Sequence, residues 1–307
     1  YEISECLVGS EMCIRDSYAA LLCSSMVFSL VSTPVSAAET GQLTNPPTST
    51  EELSSPESIS GNEAAAALNG LYTALPIANG VKEVATAEEL ATALADSSIS
   101  RITPKGDVEI SSTLTVNRTV TLDLNGNVLK MNGSGSVIKV ESGGNLTIQD
   151  SNTSTPHKFT PGGDGLWGLD ETGGSEIVYG GIITGGNTPN GGGVYVATGC
   201  QLTMTGGNIV GCLATYEGGG VYIDGLRGSS DQTVFTMTGG SITGCQANGT
   251  DGGGGVNVTK GTFTMKGGSI IACTVIEPVY NTTVCGGGVH IRNGCLLYAS
   301  PSPRDTR

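Results

Sequence analysis

The nine residues MTGGSITGC at 237–245 have two near-copies, MTGGNIVGC at 204–212 and MKGGSIIAC at 265–273. A weaker copy, VYGGIITGG, lies at 178–186, so the copies begin 26, 33 and 28 residues apart. Each copy places an apolar residue, a pair of glycines and a short apolar segment in the same order. A period of this length is typical of a solenoid, in which each repeat stacks on its neighbour and buries a shared core.

A second phrase interleaves with the first. It reads GGGVYV at 191–196, GGGVYI at 218–223, GGGVNV at 253–258 and GGGVHI at 286–291. Each repeat therefore holds three short strands, namely the GGGV strand, a (Leu/Phe)-Thr-Met strand and a Gly-Gly-x-Ile strand. Three strands per repeat without a helix between them predict an all-β fold, a right-handed parallel β-helix with rungs about 4.8 Å apart. The glycine runs supply the corners, where positive φ or close backbone approach is needed.

Alternation of apolar and polar residues assigns side chains to the inside and the outside of this coil. The same period of two residues runs through 107–149, as in strands with one buried face. We expect the thiols of Cys212, Cys245 and Cys273, which hold equivalent positions, to stack as small packed side chains. The residues predicted to point inward are Val194, Val196, Val221, Ile223, Val256, Val258, Val289, Ile291, Leu202, Met204, Phe235, Met237, Phe263, Met265, Ile209, Ile242 and Ile270.

The segments before the repeats differ from them in composition. Residues 18–37 are apolar, uncharged and followed by small residues, which is typical of a secretory signal peptide rather than of a membrane span. Residues 38–80 are rich in Ser, Thr and Pro and predict a linker. The segment TAEELATALAD (86–96) predicts a short amphipathic helix that caps the β-helix. Its apolar face would hold Ala87, Leu90, Ala91 and Leu94, and Thr86 and Glu89 have the spacing of a capping box.

The two ends of the chain resemble a translated sequencing adapter. LVGSEMCIRDS (7–17) and CLLYASPSPRD (295–305) read as translations of opposite strands of one library oligonucleotide, with one substitution at Ala299. We therefore interpret residues 1–17 and 295–307 as adapter-derived scars. This interpretation leaves 81–294 as the β-helix domain.

Charge and cysteine content exclude several classes of protein. The chain has 14 basic and 28 acidic residues, a net charge of −14, which argues against a nucleic-acid partner. Of nine cysteines, five lie outside the predicted scars and signal peptide, and no CxxC pair occurs. An odd number without such pairs favours neither a disulfide scaffold nor a zinc site. We expect no metal and no cofactor, except calcium if the protein is a lyase.

With the capping helix and the segment LDLNGNVLKM (122–131), the GGGV and MTGG phrases resemble right-handed β-helix proteins of the pectate-lyase-like superfamily. The closer resemblance is to bacterial surface or adhesin-like proteins, and it covers roughly 81–294. It implies a secreted or cell-surface location and a polysaccharide or cell-surface glycan as partner. In enzymes of this superfamily the site lies on the outer face of one parallel sheet. Hydrolases there use clustered carboxylates, and lyases use a calcium-binding carboxylate group with a basic residue.

Three functional hypotheses follow. The outward residues of the GGGV strands, Tyr195, Tyr222, Asn257 and His290, would bind an extended glycan, and none of them is a carboxylate. Alternatively the protein is a polysaccharide lyase or glycoside hydrolase whose acids are Asp164, Asp170 and Glu171, in an insertion (151–177) that otherwise reads as a solvated loop. A third hypothesis is an ice-binding surface built on outward threonines such as Thr203, Thr236 and Thr264, against which the irregular repeat spacing argues.

Overall fold

The structure is a computed structural model that describes residues 80–225, 232–249, 252–276 and 286–298, together with the backbone of Met12 and Cys13. The predicted signal peptide, almost all of the predicted linker, Cys285 and residues 299–307 lie outside the described residues. Of the described residues, 50% lie in strands and 4% in a helix, so this part of the chain is all-β, as the repeats predict.

Within the described part of the chain, one helix and twelve strands lie before Ile182. The helix is α1 (Ala87–Ala95). The strands are β1 (Met12–Cys13), β2 (Gly80–Val84), β3 (Ile99–Pro104), β4 (Val108–Ile110), β5 (Leu114–Val116), β6 (Thr119–Asp123), β7 (Val128–Met131), β8 (Ile138–Val140), β9 (Asn145–Gln149), β10 (Pro156–Pro161), β11 (Trp167–Leu169) and β12 (Glu176–Tyr179).

Sixteen further strands follow in the repeats. They are β13 (Ile182–Thr184), β14 (Asn187–Asn190), β15 (Val194–Val196), β16 (Gln201–Met204), β17 (Asn208–Val210), β18 (Leu213–Glu217), β19 (Val221–Ile223), β20 (Val234–Met237), β21 (Ser241–Thr243), β22 (Gln246–Ala247), β23 (Val256–Val258), β24 (Thr262–Met265), β25 (Ser269–Ile271), β26 (Thr274–Val275), β27 (Val289–Ile291) and β28 (Cys295–Tyr298).

Four long sheets contain almost all of these strands, and within them strands pair with their copies in neighbouring repeats. Sheet A holds β5, β8, β15, β19, β23 and β27, and sheet B holds β2, β3, β6, β9, β16, β20, β24 and β28. Sheet C holds β4, β7, β13, β17, β21 and β25, and sheet D holds β14, β18, β22 and β26. Every pairing among these strands is parallel, and the chain visits the sheets in a fixed cycle, which is consistent with a β-helix.

The pairing register explains why the sequence repeats. Val194 pairs with Val221, which pairs with Val256, which pairs with Val289. Because the register is maintained, identical side chains lie above one another and fill one continuous core. All the residues predicted to point inward are buried, except Met265 and Ile270, which are partly buried and pack against the same core.

The number of strands per repeat is larger than predicted. The first two turns of the coil have three strands, but from β14 onward a fourth strand, in sheet D, lies between sheets C and A. Its four members read NTPN, LATYE, QA and TV, so they share no pattern that could reveal a strand. Backbone hydrogen bonds hold these strands together, and such bonds place little constraint on which side chains the strands carry. The prediction of three strands per rung is therefore wrong for the later repeats.

Two ladders of identical side chains run through the core. The rings of Phe235 and Phe263 stack with centroids 4.7 Å apart. The thiols of Cys212, Cys245 and Cys273 are free and buried, and that of Cys245 is hydrogen-bonded to the other two. Burial, followed by the hydrogen bond with Cys212, raises the pKa of Cys245 well above its ordinary value. The three cysteines thus stack as predicted, as neutral packed thiols.

Glycine is required at the first and third positions of the GGG phrase for two different reasons. The first, as at Gly218, has φ of 68°, in the left-handed region that favours glycine. At the third, Gly220, an added Cβ would lie 2.6 Å from Cγ2 of Ile242 and 2.6 Å from the carbonyl oxygen of Gly255. There is no room for a side chain there, because the Ile242 side chain and the backbone of the next turn already occupy this space.

Helix α1 packs against the first turns of the coil. The Thr86 side chain accepts a hydrogen bond from the Glu89 amide at 3.2 Å, and Glu89 Oε2 accepts one from the Ala85 amide at 2.7 Å. The Thr86 half of the predicted capping box is confirmed, whereas the Glu89 side chain bonds the amide of Ala85, one residue before the N-cap. The buried residues are Leu90, Ala93 and Leu94, so the prediction that Ala91 belongs to the buried face is wrong. Ala93 takes that place because it lies three residues after Leu90 on the side that faces β3 and β5.

Arg118 closes the other end of α1. Its guanidinium donates to the carbonyl oxygens of Leu94 at 2.8 Å, Ala93 at 2.7 Å and Ile99 at 2.6 Å. A helix leaves its last carbonyls without internal partners, and a cation there also opposes the helix dipole. Arg118 therefore fixes the helix to the coil. Within the described part of the chain, no helix is long and apolar enough to cross a membrane.

Strands from both adapter-like ends pair with the last turn. β28 continues sheet B beyond the predicted boundary at residue 294, with Cys295 opposite Thr262 and Tyr298 opposite Met265. β1 pairs antiparallel with β27. Unpaired strand edges accept any strand with free backbone groups, so this pairing needs no sequence specificity.

Candidate functional site

The outer face of sheet A places the predicted ligand-binding residues in one line. Tyr195 pairs with Tyr222, Tyr222 with Asn257, and Asn257 with His290. Towards the N-terminal end the line continues through Lys139 to Thr115. We call these six residues the first column.

Accessibility along the first column is lower than the sequence pattern suggests. Tyr195 is half-buried, but Tyr222 is 7% exposed, and Asn257 and His290 are each 1% exposed. The Asn257 amide nitrogen lies 3.0 Å from Nδ1 of His290, so these two side chains contact each other. The expectation of an open outward face therefore holds at Tyr195 and fails at the other three residues. Alternation fixes the direction of a side chain, but it does not show what covers it.

A second column lies two residues after the first, on the same face. It contains Glu141, Ala197, Asp224, Thr259 and Arg292, whose backbone amides continue the parallel pairing. Asp224 Oδ2 accepts a hydrogen bond of 2.6 Å from the Tyr195 hydroxyl, and the hydroxyls of Tyr222 and Thr259 lie 2.8 Å apart. The sequence argument overlooked Asp224, although the segment Tyr222-Ile223-Asp224 already places both polar side chains on one face.

The aromatic rings of the first column interact with each other and with a cation. The Tyr195 and Tyr222 rings have centroids 5.4 Å apart and are tilted by 31°. Nζ of Lys139 lies 5.8 Å from the Tyr195 centroid and 2.6 Å from Oε2 of Glu141. Burial first, then the hydrogen bond and charge of Asp224, raise the pKa of Tyr195. The Tyr195 hydroxyl is therefore a neutral hydrogen-bond donor at ordinary pH.

Glu217 lies at the end of β18 in sheet D, next to the glycine corner that leads into β19 of sheet A. It directly precedes Gly218, where an added Cβ would lie 2.8 Å from Cβ of Tyr222. Burial raises the pKa of Glu217; the charge of Arg292 opposes this rise and that of Asp224 adds to it. Tyr222 interacts electrostatically with both carboxyl groups, those of Glu217 and Asp224.

A cavity adjoins the N-terminal end of this face. It has a volume of about 430 Å³ and lies between α1 and the segment that connects β4 to β5. Its lining includes Thr115 of the first column and Asn117, two residues further along the same strand. Ligand pockets commonly have volumes of about 300–1,000 Å³. The cavity therefore adjoins the N-terminal end of the first column at Thr115.

The sequence suggested that the insertion at 151–177 is a solvated loop, and this prediction is wrong. Strands β10, β11 and β12 form an antiparallel sheet in the order β11-β10-β12. Phe159 is fully buried against Val128, Ile182 and Val210, and Trp167 packs against this cluster. The Trp167 amide donates to the Gly244 carbonyl at 3.0 Å. The insertion therefore covers part of the outer face of sheet C.

The three acidic residues proposed for the enzymatic alternative make their contacts with other residues of the insertion. Asp170 accepts hydrogen bonds from the Gly173 amide and the Thr172 and Thr160 hydroxyls, which lower its pKa. Asp164 accepts one from the Leu166 amide at 3.2 Å. Glu171 accepts one from Lys158 and lies 2.9 Å from Nδ1 of His157. These contacts give each acid a structural role, and a general acid with a lowered pKa is poorly suited to neutral pH.

Outward threonines form a ladder on sheet B that is more regular than the sequence suggests. Thr121, Thr147, Thr203, Thr236 and Thr264 pair in one register across five turns. The unequal repeat lengths are absorbed by the connecting segments, so they do not disturb the ladder. Side-chain ladders of this kind stabilise flat parallel sheets, which accounts for the threonines without a ligand.

Among the described residues, no group of three or more His, Cys, Asp or Glu side chains is placed to hold a metal ion. Comparison of the chain with protein-family models, with curated proteins and with solved structures gave no match. The choice of the outer face of sheet A as the candidate functional site therefore rests on its geometry alone.

Proposed function

We propose that the protein is a secreted or cell-surface scaffold that binds an extended glycan along the outer face of sheet A. The observation that carries this proposal is the line of Lys139, Tyr195 and Tyr222 on successive turns, in a column that the cavity beside α1 adjoins. The resemblance of the GGGV and MTGG phrases to adhesin-like β-helix proteins supports it.

The finer description of the fold belongs to the same proposal. The connection between two parallel strands of one sheet is right-handed in about 98% of cases. We therefore infer that the β-helix is right-handed and that α1 caps it. We place it with the pectate-lyase-like proteins on the strength of the repeat phrases. The apolar leader at 18–37 and the net charge of −14 fit an exported protein.

A glycan lying along the first column would meet one turn of the coil about every 4.8 Å. The exposed part of the Tyr195 ring offers an apolar surface to the face of a sugar ring. Glu141 and Asp224, in the second column, would accept hydrogen bonds from sugar hydroxyls. Since the rigid sheet orders these groups before binding, little conformational entropy is lost on association.

The proposal is tested by screening the protein against a panel of soluble polysaccharides and oligosaccharides. Saturable binding of at least one extended glycan by the native protein, abolished by thermal unfolding, is the expected result. Retention of native circular dichroism with no binding to any glycan in the panel would contradict the proposal.

A glycoside hydrolase or polysaccharide lyase is the second candidate, and it is favoured by two carboxyl groups, those of Glu217 and Asp224, that interact electrostatically with Tyr222. Glycoside hydrolysis requires one protonated and one ionised carboxyl group. The raised pKa of Glu217 suits the acid, and Asp224, hydrogen-bonded to Tyr195, suits the ionised partner. Release of new reducing ends, lost in Glu217→Gln, would establish a hydrolase. Calcium-dependent formation of unsaturated products would indicate a lyase.

A further inference from the structure

The charges around Tyr222 restrict the class of glycan that this face can hold. Glu217 and Asp224 both interact electrostatically with the Tyr222 hydroxyl. Asp224 is held by the Tyr195 hydroxyl at 2.6 Å. Glu217 is half-buried, and within the described residues no hydrogen bond to its carboxyl group is found.

Among the described residues of this face, the three acids Glu141, Glu217 and Asp224 outnumber the two bases Lys139 and Arg292. Lys139 is paired with Glu141 at 2.6 Å, so the two charges nearly cancel. Arg292 follows two turns beyond Asp224 in the second column, and its charge opposes the rise in the pKa of Glu217. The chain as a whole carries a net charge of −14, which repels anionic polymers at longer range.

A carboxylate and a sugar hydroxyl form a favourable pair, whereas two carboxylates brought together without a bridging cation repel each other. In this half-buried site the repulsion is screened less than on an open surface. Resting on the proposed function, we propose that the sheet A face binds glycans of uncharged sugars through Tyr195, Glu217 and Asp224, and excludes polyuronates and sulfated glycans.

The experiment uses the full chain and glycans that are matched except in charge. One pair is an oligogalacturonide and its fully methyl-esterified form, which share a backbone, and the panel also includes neutral and sulfated oligosaccharides. The proposal predicts binding confined to uncharged members. It also predicts at least a tenfold weaker binding in the isosteric variants Glu217→Gln and Asp224→Asn. Glu109→Gln, which removes an exposed carboxylate on sheet C, is the matched control and should bind as the parent does.

The outcomes separate this inference from the proposed function. Binding confined to free-acid or sulfated glycans, strengthened by Asp224→Asn, would overturn the inference and leave glycan binding intact. Neutral-glycan binding that Glu217→Gln and Asp224→Asn both leave unchanged would also overturn it. No binding of any glycan by the folded protein would overturn the proposed function and the inference together.

Discussion

The hydroxyl of Tyr195 donates a 2.6 Å hydrogen bond to Oδ2 of Asp224, which lies one turn further along the coil. This bond joins the two outward columns of sheet A, and it holds the Tyr195 ring 5.4 Å from the ring of Tyr222. A short bond to a charged acceptor is among the stronger hydrogen bonds in proteins. The pair therefore fixes the geometry of the proposed glycan-binding face.

The Tyr195–Asp224 pair predicts a pH dependence. Burial and Asp224 raise the pKa of Tyr195 above the unfolded value of about 10, so the folded state holds this proton more tightly. The resulting stabilisation is fully present below about pH 10 and is lost as pH rises towards the folded pKa. Tyrosinate absorbance of the native protein should show ionisation at lower pH in Asp224→Asn than in the parent. A titration identical in the two proteins would mean that Asp224 does not act on Tyr195.

Close packing behind the GGGV strands predicts that Gly220→Ala is destabilising. The new Cβ would meet Ile242 and the Gly255 carbonyl at 2.6 Å each, so the corner must shift. Overpacking of this kind typically costs about 1–3 kcal/mol, measured as a lower urea midpoint. Gly106→Ala is the matched control, since nothing lies within 4 Å of its added Cβ. Equal stability of the two variants would refute the packing explanation.

One repeat carries an alanine where the others have glycine. Ala272 has φ of 52°, whereas the equivalent Gly211 and Gly244 have φ of 62° and 56°. A left-handed conformation costs a non-glycine residue about 1–2 kcal/mol, so Ala272→Gly should raise the free energy of unfolding by about 1 kcal/mol. Ala197→Gly, outside the left-handed region, should lower it instead. Destabilisation by Ala272→Gly would show that the corner is not strained.

Arg118 should contribute measurably to stability because its guanidinium donates hydrogen bonds to the carbonyl oxygens at the end of α1. Arg118→Ala removes donors to Ala93, Leu94 and Ile99, and we expect a loss of about 2 kcal/mol in the free energy of unfolding. Arg118→Lys should rescue only part of this loss, because an ammonium cannot form the planar fork. Arg101→Ala, at an exposed position on β3, is the control and should be nearly neutral. Full rescue by lysine would mean that charge alone matters.

The sequence predicted the parts of the fold that repeat. Val194, Val221 and their equivalents, and the three stacked cysteines, recur at fixed places in the repeats, because every turn of a parallel coil faces the same packing problem. The fourth strand had no such signal, since β18 and β22 share a backbone role without sharing side chains. The three strands of the insertion were hidden for a similar reason. They occur once, and glycine and aspartate turns dominate their composition.

The candidate site was predicted in outline only. Alternation aligned Tyr195, Tyr222, Asn257 and His290, but burial of the last two depends on the rest of the fold. Asp224 could have been found by extending the alternation two residues past Tyr222. Glu217 could not, because it lies before the glycine corner, where the period of two residues is interrupted.

A calorimetric titration of the tightest-binding glycan tests the central claim most directly. It compares the parent with Tyr195→Ala and with Tyr179→Ala, which changes a 59% exposed tyrosine on the insertion. We predict that Tyr195→Ala raises Kd at least about tenfold, equivalent to 1.4 kcal/mol, while Tyr179→Ala leaves Kd unchanged. An unchanged Kd in a folded Tyr195→Ala protein would place the glycan elsewhere and contradict the assignment of the sheet A face.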